Sequence, residues 1–359
     1  MTKLGGRIYY GWYIVFSASI IVLLSMGLRM GIGPFVNPMI FDLGLTRTEF
    51  SLILAVGMIV YGLGMPLAGY ILKYYSTRFV LITGLIIFCV SVICTITSNG
   101  IISFLLSFGI LFSLGLSFLS NITLAPIICK WFVQQRGKAL FYLSTGGMAG
   151  MAIMTPVEFT LIQAVGWKHS LLILGGVFVC IVLPSAIFIM KEDAPAEAND
   201  DSKRMSDQSR YMLDKITWKD AIKNRYPRKN ILFWVYFVRG MGILGLVFVE
   251  TPAQLFFVAV TGGLVWAGSI ALSSAILSDF YGVHLLAMLN GWAFFGHQVG
   301  GAIGSFLGGW GFETFGTHIL AFGSAAFISL IASFASFALP KKISFPKYNN
   351  INKDHSILK

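Results

Sequence analysis

Long runs that are apolar on every face, separated by turns of only a few polar residues, recur along most of the chain. A helix needs about 20 apolar residues to cross a hydrocarbon core of about 30 Å, and about ten stretches qualify. They lie at 10–38, 50–72, 78–98, 100–128, 138–163, 168–190, 229–248, 251–278, 284–308 and 315–339. The runs lack the period-two alternation of a membrane barrel, and backbone facing lipid must satisfy its own hydrogen bonds, so the spans are read as helices. The first run follows Lys3 and Arg7 and shows no small-residue cleavage site before more hydrophobic sequence. It reads as a first span and not as a removable signal.

The pattern breaks once, from Lys191 to Lys229, where ten basic and eight acidic residues are mixed with few apolar ones. Such a tract cannot bury a core, so its first part reads as a flexible linker. Ile216, Trp218, Ala221 and Ile222 predict a short amphipathic helix on the membrane surface. The break divides the chain into a six-helix bundle at 1–190, a cytoplasmic linker at 191–228, a four-helix bundle at 229–340 and a basic cytoplasmic tail at 341–359.

Composition agrees with this reading: 56% of residues are hydrophobic and 11% charged, with a mean hydropathy of +0.79, far from the roughly 25% charged of soluble domains. The formal net charge of +11 raises nucleic acid as a partner, but the placement of the charges follows the positive-inside rule instead. Lys3 and Arg7, Lys73 and Arg78, Lys130, Arg136 and Lys138, and Lys341, Lys342, Lys347, Lys353 and Lys359 fall on one side. Asp42, Arg47, Glu49, Lys168, Glu250 and Glu313 fall on the other. Both termini are therefore expected in the cytoplasm of a cell whose inner membrane holds the chain. Cys89, Cys94, Cys129 and Cys180 lack metal-ligand spacing and read as small apolar packing residues. Neither a metal nor a cofactor is expected, and the partners are the bilayer and a small solute. No feature specifies an oligomeric state.

Ionisable and amide side chains inside spans are the candidates for function, because a charge at mid-membrane depth is costly and persists where it is paired, hydrated or used. Arg29 in the first span either holds a carboxylate through two parallel hydrogen bonds or snorkels to the nearer surface. At helical spacing it shares a face with Gly33 and Asn37. Arg239 has the same pair of readings near the other surface. Glu158 is a candidate proton carrier or one half of a structural ion pair. His297 and Gln298 interrupt an apolar span, and histidine exchanges protons near neutral pH; alternatively His297, with Gly301, Gly304 and Gly308, marks a helix-packing face. Asn121 contacts solute or another helix. Tyr142, like Tyr61, offers a hydroxyl to a cavity or sits at a seam. Gly146, Gly147 and Gly150 read as sites of close backbone approach; with no strand beside them, they are not a nucleotide fingerprint.

Four segments carry a family resemblance. They are Tyr10-Gly11-Trp12-Tyr13-Ile14-Val15; Gly27-Leu28-Arg29 with Gly33, Phe35 and Pro38; Trp131-Phe132 leading to Arg136-Gly137-Lys138-Ala139; and Gly296-His297-Gln298-Val299-Gly300-Gly301-Ala302-Ile303-Gly304. Together they resemble bacterial monocarboxylate and oxalate/formate-type carriers of the major facilitator superfamily. The resemblance implies an all-α integral membrane protein of two helical bundles that rock about a central site. It also implies twelve spans in place of the ten found here (six and four), so the seventh and eighth are expected to be missing. The apparent join lies between Asp220-Ala221-Ile222-Lys223-Asn224 and Arg225-Tyr226-Pro227-Arg228-Lys229-Asn230. Lys73 stands where the superfamily usually has aspartate, which weakens the latch implied for that loop. On this resemblance and Arg29, the expected function is secondary transport of a small organic anion, proton-coupled or by exchange. The site expected from the sequence comprises Arg29, Asn37, Asn121, Tyr142, Arg239, His297 and Gln298, with Glu158 and His297 as proton carriers. The alternative is a degenerate, non-transporting membrane protein with a receptor or interaction role. An enzyme is not expected, since no nucleophile-and-base or paired-histidine constellation is present. A carrier of two five-span repeats fits poorly with a linker placed after the sixth span.

Overall fold

A computed structural model describes residues 9–132, 135–192, 228–249, 251–256, 258 and 292–338. Among these residues there is no strand, and seven helical stretches are long and apolar enough to cross a membrane. The helices are α1 (Gly11–Met30), α2 (Gly33–Leu43), α3 (Arg47–Ile71), α4 (Thr77–Ile96) and α5 (Ile101–Phe104). A π-helical segment, Leu105–Phe112, carries α5 into α6 (Ser113–Phe118), followed by α7 (Asn121–Trp131) and α8 (Arg136–Pro184). Then come α9 (Arg228–Gly245), α10 (292–315) and α11 (Ile319–Ala338). Most of the expected span at 251–278, most of the linker and the basic tail lie outside the described residues.

The chain falls into two compact units. One gathers the described residues up to Glu192 together with 292–321; the other gathers 228–258 and 322–338. In the first unit the aromatic residues of the fourth span make the core. Phe104, Phe108 and Phe112 stack along one face, with ring centroids 5.0 and 4.8 Å apart. Phe50 of α3 and Phe88 of α4 close on that stack, and Phe88 also meets Phe178 at 4.6 Å. Large apolar side chains such as Phe16, Phe41, Ile102 and Phe188 stay on the outside, as expected where lipid is the solvent.

Two breaks shape this unit. The run at 10–38 was expected as one span, but it stops at Gly31, whose N–H bonds to Gly27 O at 2.7 Å, and restarts as α2 with Pro34 in the first turn. Proline lacks an N–H to lose there, which favours a helix start. The second break is Gly166 within α8, with φ of 77°. That left-handed conformation is strained for any residue with a Cβ, and it separates the fifth and sixth spans where the hydropathy places the gap.

Side chains fasten both ends of the unit. At one end the Tyr10 hydroxyl donates to Phe188 O and Ile189 O, Trp131 Nε1 donates to Lys191 O, and Tyr9 OH donates to Trp131 O. Glu192 accepts from Lys130 at 2.9 Å and from the Thr77 N–H at the start of α4. Burial opposes ionisation of Glu192, but these bonds outweigh it and hold the carboxyl below its ordinary range. At the other end Lys168 pairs with Asp42 at 2.7 Å, tying α2 to the turn of α8. The hydrogen bond from Lys168 keeps the Asp42 carboxyl below its ordinary range. α3 opens with a capping box, in which Thr46 Oγ1 accepts from Glu49 N and the Glu49 carboxylate accepts from Thr46 N, satisfying two donors that the first helical turn leaves free.

In the second unit α9 packs on α11. Phe233 meets Phe337 at 4.4 Å and Phe334 at 5.7 Å, and Ser333 Oγ donates to Phe233 O at 2.9 Å.

Candidate functional site

Arg29 occupies the last turn of α1, and its half-buried side chain turns towards α3 and α10. The guanidinium lies 3.7 Å above the ring centroid of Tyr61 and donates from Nη2 to Gln298 Oε1 at 2.6 Å. Tyr61 and Gln298 are themselves buried, at 2% and 4% exposure, so the charge is held among packed groups. The Tyr61 hydroxyl is 3.8 Å from the sulfur of Met26. Among the described residues, the ion pairs are Lys130 with Glu192 and Lys168 with Asp42; Arg29 therefore faces a neutral amide and a ring, not a carboxylate. A guanidinium has five donors in a planar fork, and Arg29 also borders a cavity of about 70 Å³ lined by Ile53, Gly57, Phe108, Phe112 and Ser113. Chemically this is a partly desolvated cation with donors to spare, suited to a carboxylate.

The geometry depends on an antiparallel seam between α3 and α10. A methyl group at Gly62 would sit 3.0 Å from Gln298 Cβ, and one at Gly301 would sit 3.1 Å from the Met58 sulfur. Gly309 lies against Ser51, and the Arg47 guanidinium caps the Phe312 ring at 4.4 Å. The seam ends where the Glu313 carboxylate accepts from the Thr48 N–H at 2.9 Å and from the Thr48 hydroxyl. Those bonds hold the Glu313 carboxyl below its ordinary range. The packed stripe of α10 thus passes through Gln298, Gly301, Ala302 and Gly309. Of the face expected through His297, Gly301, Gly304 and Gly308, Gly301 lies on this stripe, whereas Gly304 has no neighbour near its missing Cβ among the described residues.

Glu158 lies on the opposite side of α1, fully buried at 0% exposure, and neither carboxylate oxygen has a hydrogen-bond partner among the described residues. It fits there because Gly31, at the break between α1 and α2, has no side chain; a Cβ would collide with the carboxylate. One break therefore has an unpaired cation two residues before it and an unpaired acid packed upon it.

The other expected residues are dispersed. Asn37 is exposed on α2, and the break at Gly31 interrupts the face it was expected to share with Arg29. Asn121 begins α7 with its Oδ1 buried and without a hydrogen-bond partner among the described residues. Tyr142 is 52% exposed and packs its ring on Trp12 at 5.7 Å. His297 is exposed and stands beside Phe294. Arg239 is half-buried on α9, in the second unit. Gly146 and Gly150 lie against the backbone of Ser19 and Leu23, and Gly147 against Val22, the close approach that the sequence predicts. Of the expected site, Arg29 and Gln298 touch each other. Tyr61 is part of the same arrangement, but one tyrosine in an apolar span carries no signal that separates it from core.

The sequence profile described as Major Facilitator Superfamily matches residues 18–225. The chain is 22% identical to an uncharacterized MFS-type transporter, YcxA, of Bacillus subtilis, over 89% of this chain and 93% of that one. That alignment extends over 380 residues, more than the 359 of this chain, so YcxA carries segments without a counterpart here. Monocarboxylate transporter 2 of Rattus norvegicus is 26% identical over 60% of this chain, and monocarboxylate transporter 1 of Homo sapiens 25% identical over 55%. The chain spans less than half of those two relatives, 44% and 39%. In fold it is similar to the inward-open xylose transporter XylE of E. coli, with a TM-score of 0.70, 12% identity and coverage of 94% of this chain and 98% of that one. The profile covers more than half of the sequence, and the chain belongs to the major facilitator superfamily, a family of membrane transporters and not of enzymes.

Proposed function

We propose that this transporter is a secondary carrier of a small organic anion of the monocarboxylate type, proton-coupled or exchanging, that works by alternating access. The observation that carries the reading is Arg29: a cation turned inward from α1, met by Gln298 and the face of Tyr61, with no carboxylate beside it among the described residues. The monocarboxylate transporters among its relatives support the same substrate class. Glu158 is the proposed proton carrier, buried and unpartnered behind the same helix. The expected setting is a cell's inner membrane with both termini in the cytoplasm. The test is uptake of a panel of labelled small carboxylates into proteoliposomes, with and without an inward proton gradient. Arg29→Ala is expected to lower uptake at least about a hundredfold, since losing a charge-assisted bidentate contact costs about 3 kcal/mol or more.

A second reading draws on the length of the chain, which is shorter than its alignment with YcxA. In it the protein has a receptor or interaction role without transport. Folded protein that binds a panel carboxylate and moves none of them would favour it.

A further inference from the structure

The group that already occupies Arg29 determines how an anion has to arrive. Gln298 Oε1 takes one N–H of the fork at 2.6 Å, and it belongs to α10, 269 residues further along the chain. We propose that Gln298 is a placeholder ligand, which the substrate carboxylate displaces from Arg29, so that anion binding releases α10 from α1. The proposal rests on the anion-carrier reading above and adds the regulation of that site.

Three observations support it. First, the amide oxygen is neutral and engages a single donor, whereas a carboxylate brings a full charge and two oxygens matched to the fork; the exchange is favourable in the direction proposed. Second, the guanidinium donors lie in one plane and the Tyr61 ring covers one face at 3.7 Å, so a carboxylate that takes two parallel bonds at the Nη2 edge meets Gln298, which already holds an Nη2 N–H there. Third, α10 keeps independent hold of α3 through Met58, Ser51 and Thr48, while its Gln298 accepts the hydrogen bond that Arg29 of α1 donates. Exchange at Arg29 therefore unfastens α10 from one helix without detaching it from the other. A ligand shifts a conformational equilibrium only by binding one state better, and here the better state is the one with Gln298 off Arg29.

The experiment measures KM in proteoliposomes for the best-transported carboxylate of the panel, in wild type, Gln298→Ala and Gln298→Glu. Removing the competitor is expected to lower KM about tenfold in Gln298→Ala, the equivalent of one hydrogen bond to a charged group. Gln298→Glu tethers a carboxylate to Arg29 and is expected to abolish uptake in protein that still elutes as a folded species. Hydrogen exchange of the wild-type protein supplies a reading that needs no variant: amides of α10 around Gln298 are expected to exchange faster when the carboxylate is added. An unchanged or raised KM in Gln298→Ala, active Gln298→Glu, or indifferent exchange in α10 each overturns the placeholder role. If uptake still requires Arg29 in those cases, the anion-carrier reading stands alone. Uptake indifferent to Arg29→Ala overturns both.

Discussion

Arg29 and Glu158 stand on opposite sides of α1, each without an opposite charge beside it among the described residues, at the point where the helix breaks. Direct neutralisation of one by the other would have silenced both; on the proposed function, separation by a helix leaves one for an anion and the other for a proton. In Glu158→Gln an amide fills the same space without a titratable proton. That variant is expected to keep carboxylate exchange within about twofold of wild type and to lose all response to a proton gradient, since only a differential interaction can couple two ligands. Counterflow and gradient-driven uptake measured on one preparation separate the two effects. The chemistry of both residues is legible in the sequence, because an ion inside an apolar span declares itself. Their surroundings are not: Gln298 lies 269 residues from Arg29, and nothing local to Gly31 says that its missing side chain makes room for a carboxylate.

Helix ends in this fold are fixed by side chains whose partners lie far away in sequence, and that is where local reading falls short. Hydropathy places the gap between the fifth and sixth spans correctly but cannot see that Gly166 makes the turn alone, with Lys168 reaching Asp42 at its shoulder. Nor does it see the stop at Gly31, because Gly, Ile and Pro are all tolerated in a long membrane helix. The Lys168–Asp42 bond permits a test by pH. The folded state holds the Asp42 carboxyl below its ordinary value of 3.8. Its contribution is therefore complete at neutral pH and is lost as pH falls through 3.8 and on through the lower folded value. Lys168→Met is expected to lower the melting temperature of detergent-solubilised protein slightly at pH 7, by a margin that closes towards pH 3. The pair is 44% exposed on both sides, so the effect is small, as for other surface ion pairs. The aromatic motif at the opposite end was visible only as a resemblance. The structure gives its physical basis: Tyr9, Tyr10, Trp131 and Glu192 bind the ends of α1, α4, α7 and α8 together.

For the whole molecule, the all-helical membrane architecture and the family follow from hydropathy and motif order, whereas the gathering of 292–321 with the first unit does not, because linear order assigns those residues to the later bundle. Their attachment arises from small residues on α10 meeting α3, a complementarity between surfaces that no single window of sequence contains. Orientation rests on the charge pattern, and removing an adjacent pair of spans leaves parity unchanged. Reporter fusions at the N-terminus and the C-terminus are accordingly both expected to read cytoplasmic; one of each kind would mean an odd number of spans. The seam between α3 and α10 also has a mechanical reading. Gln298 rests on Gly62 beside Arg29, and Glu313 grips Thr48 at the far end. The fourteen residue steps from Thr48 to Gly62 make a rigid arm of about 21 Å. With the fulcrum at Gly62, a tilt of about 10° displaces the tip of that arm by about 4 Å, more than a hydrogen bond of about 2.9 Å survives. The clasp at the far end therefore limits that tilt, and α3 and α10 are held to move as one arm.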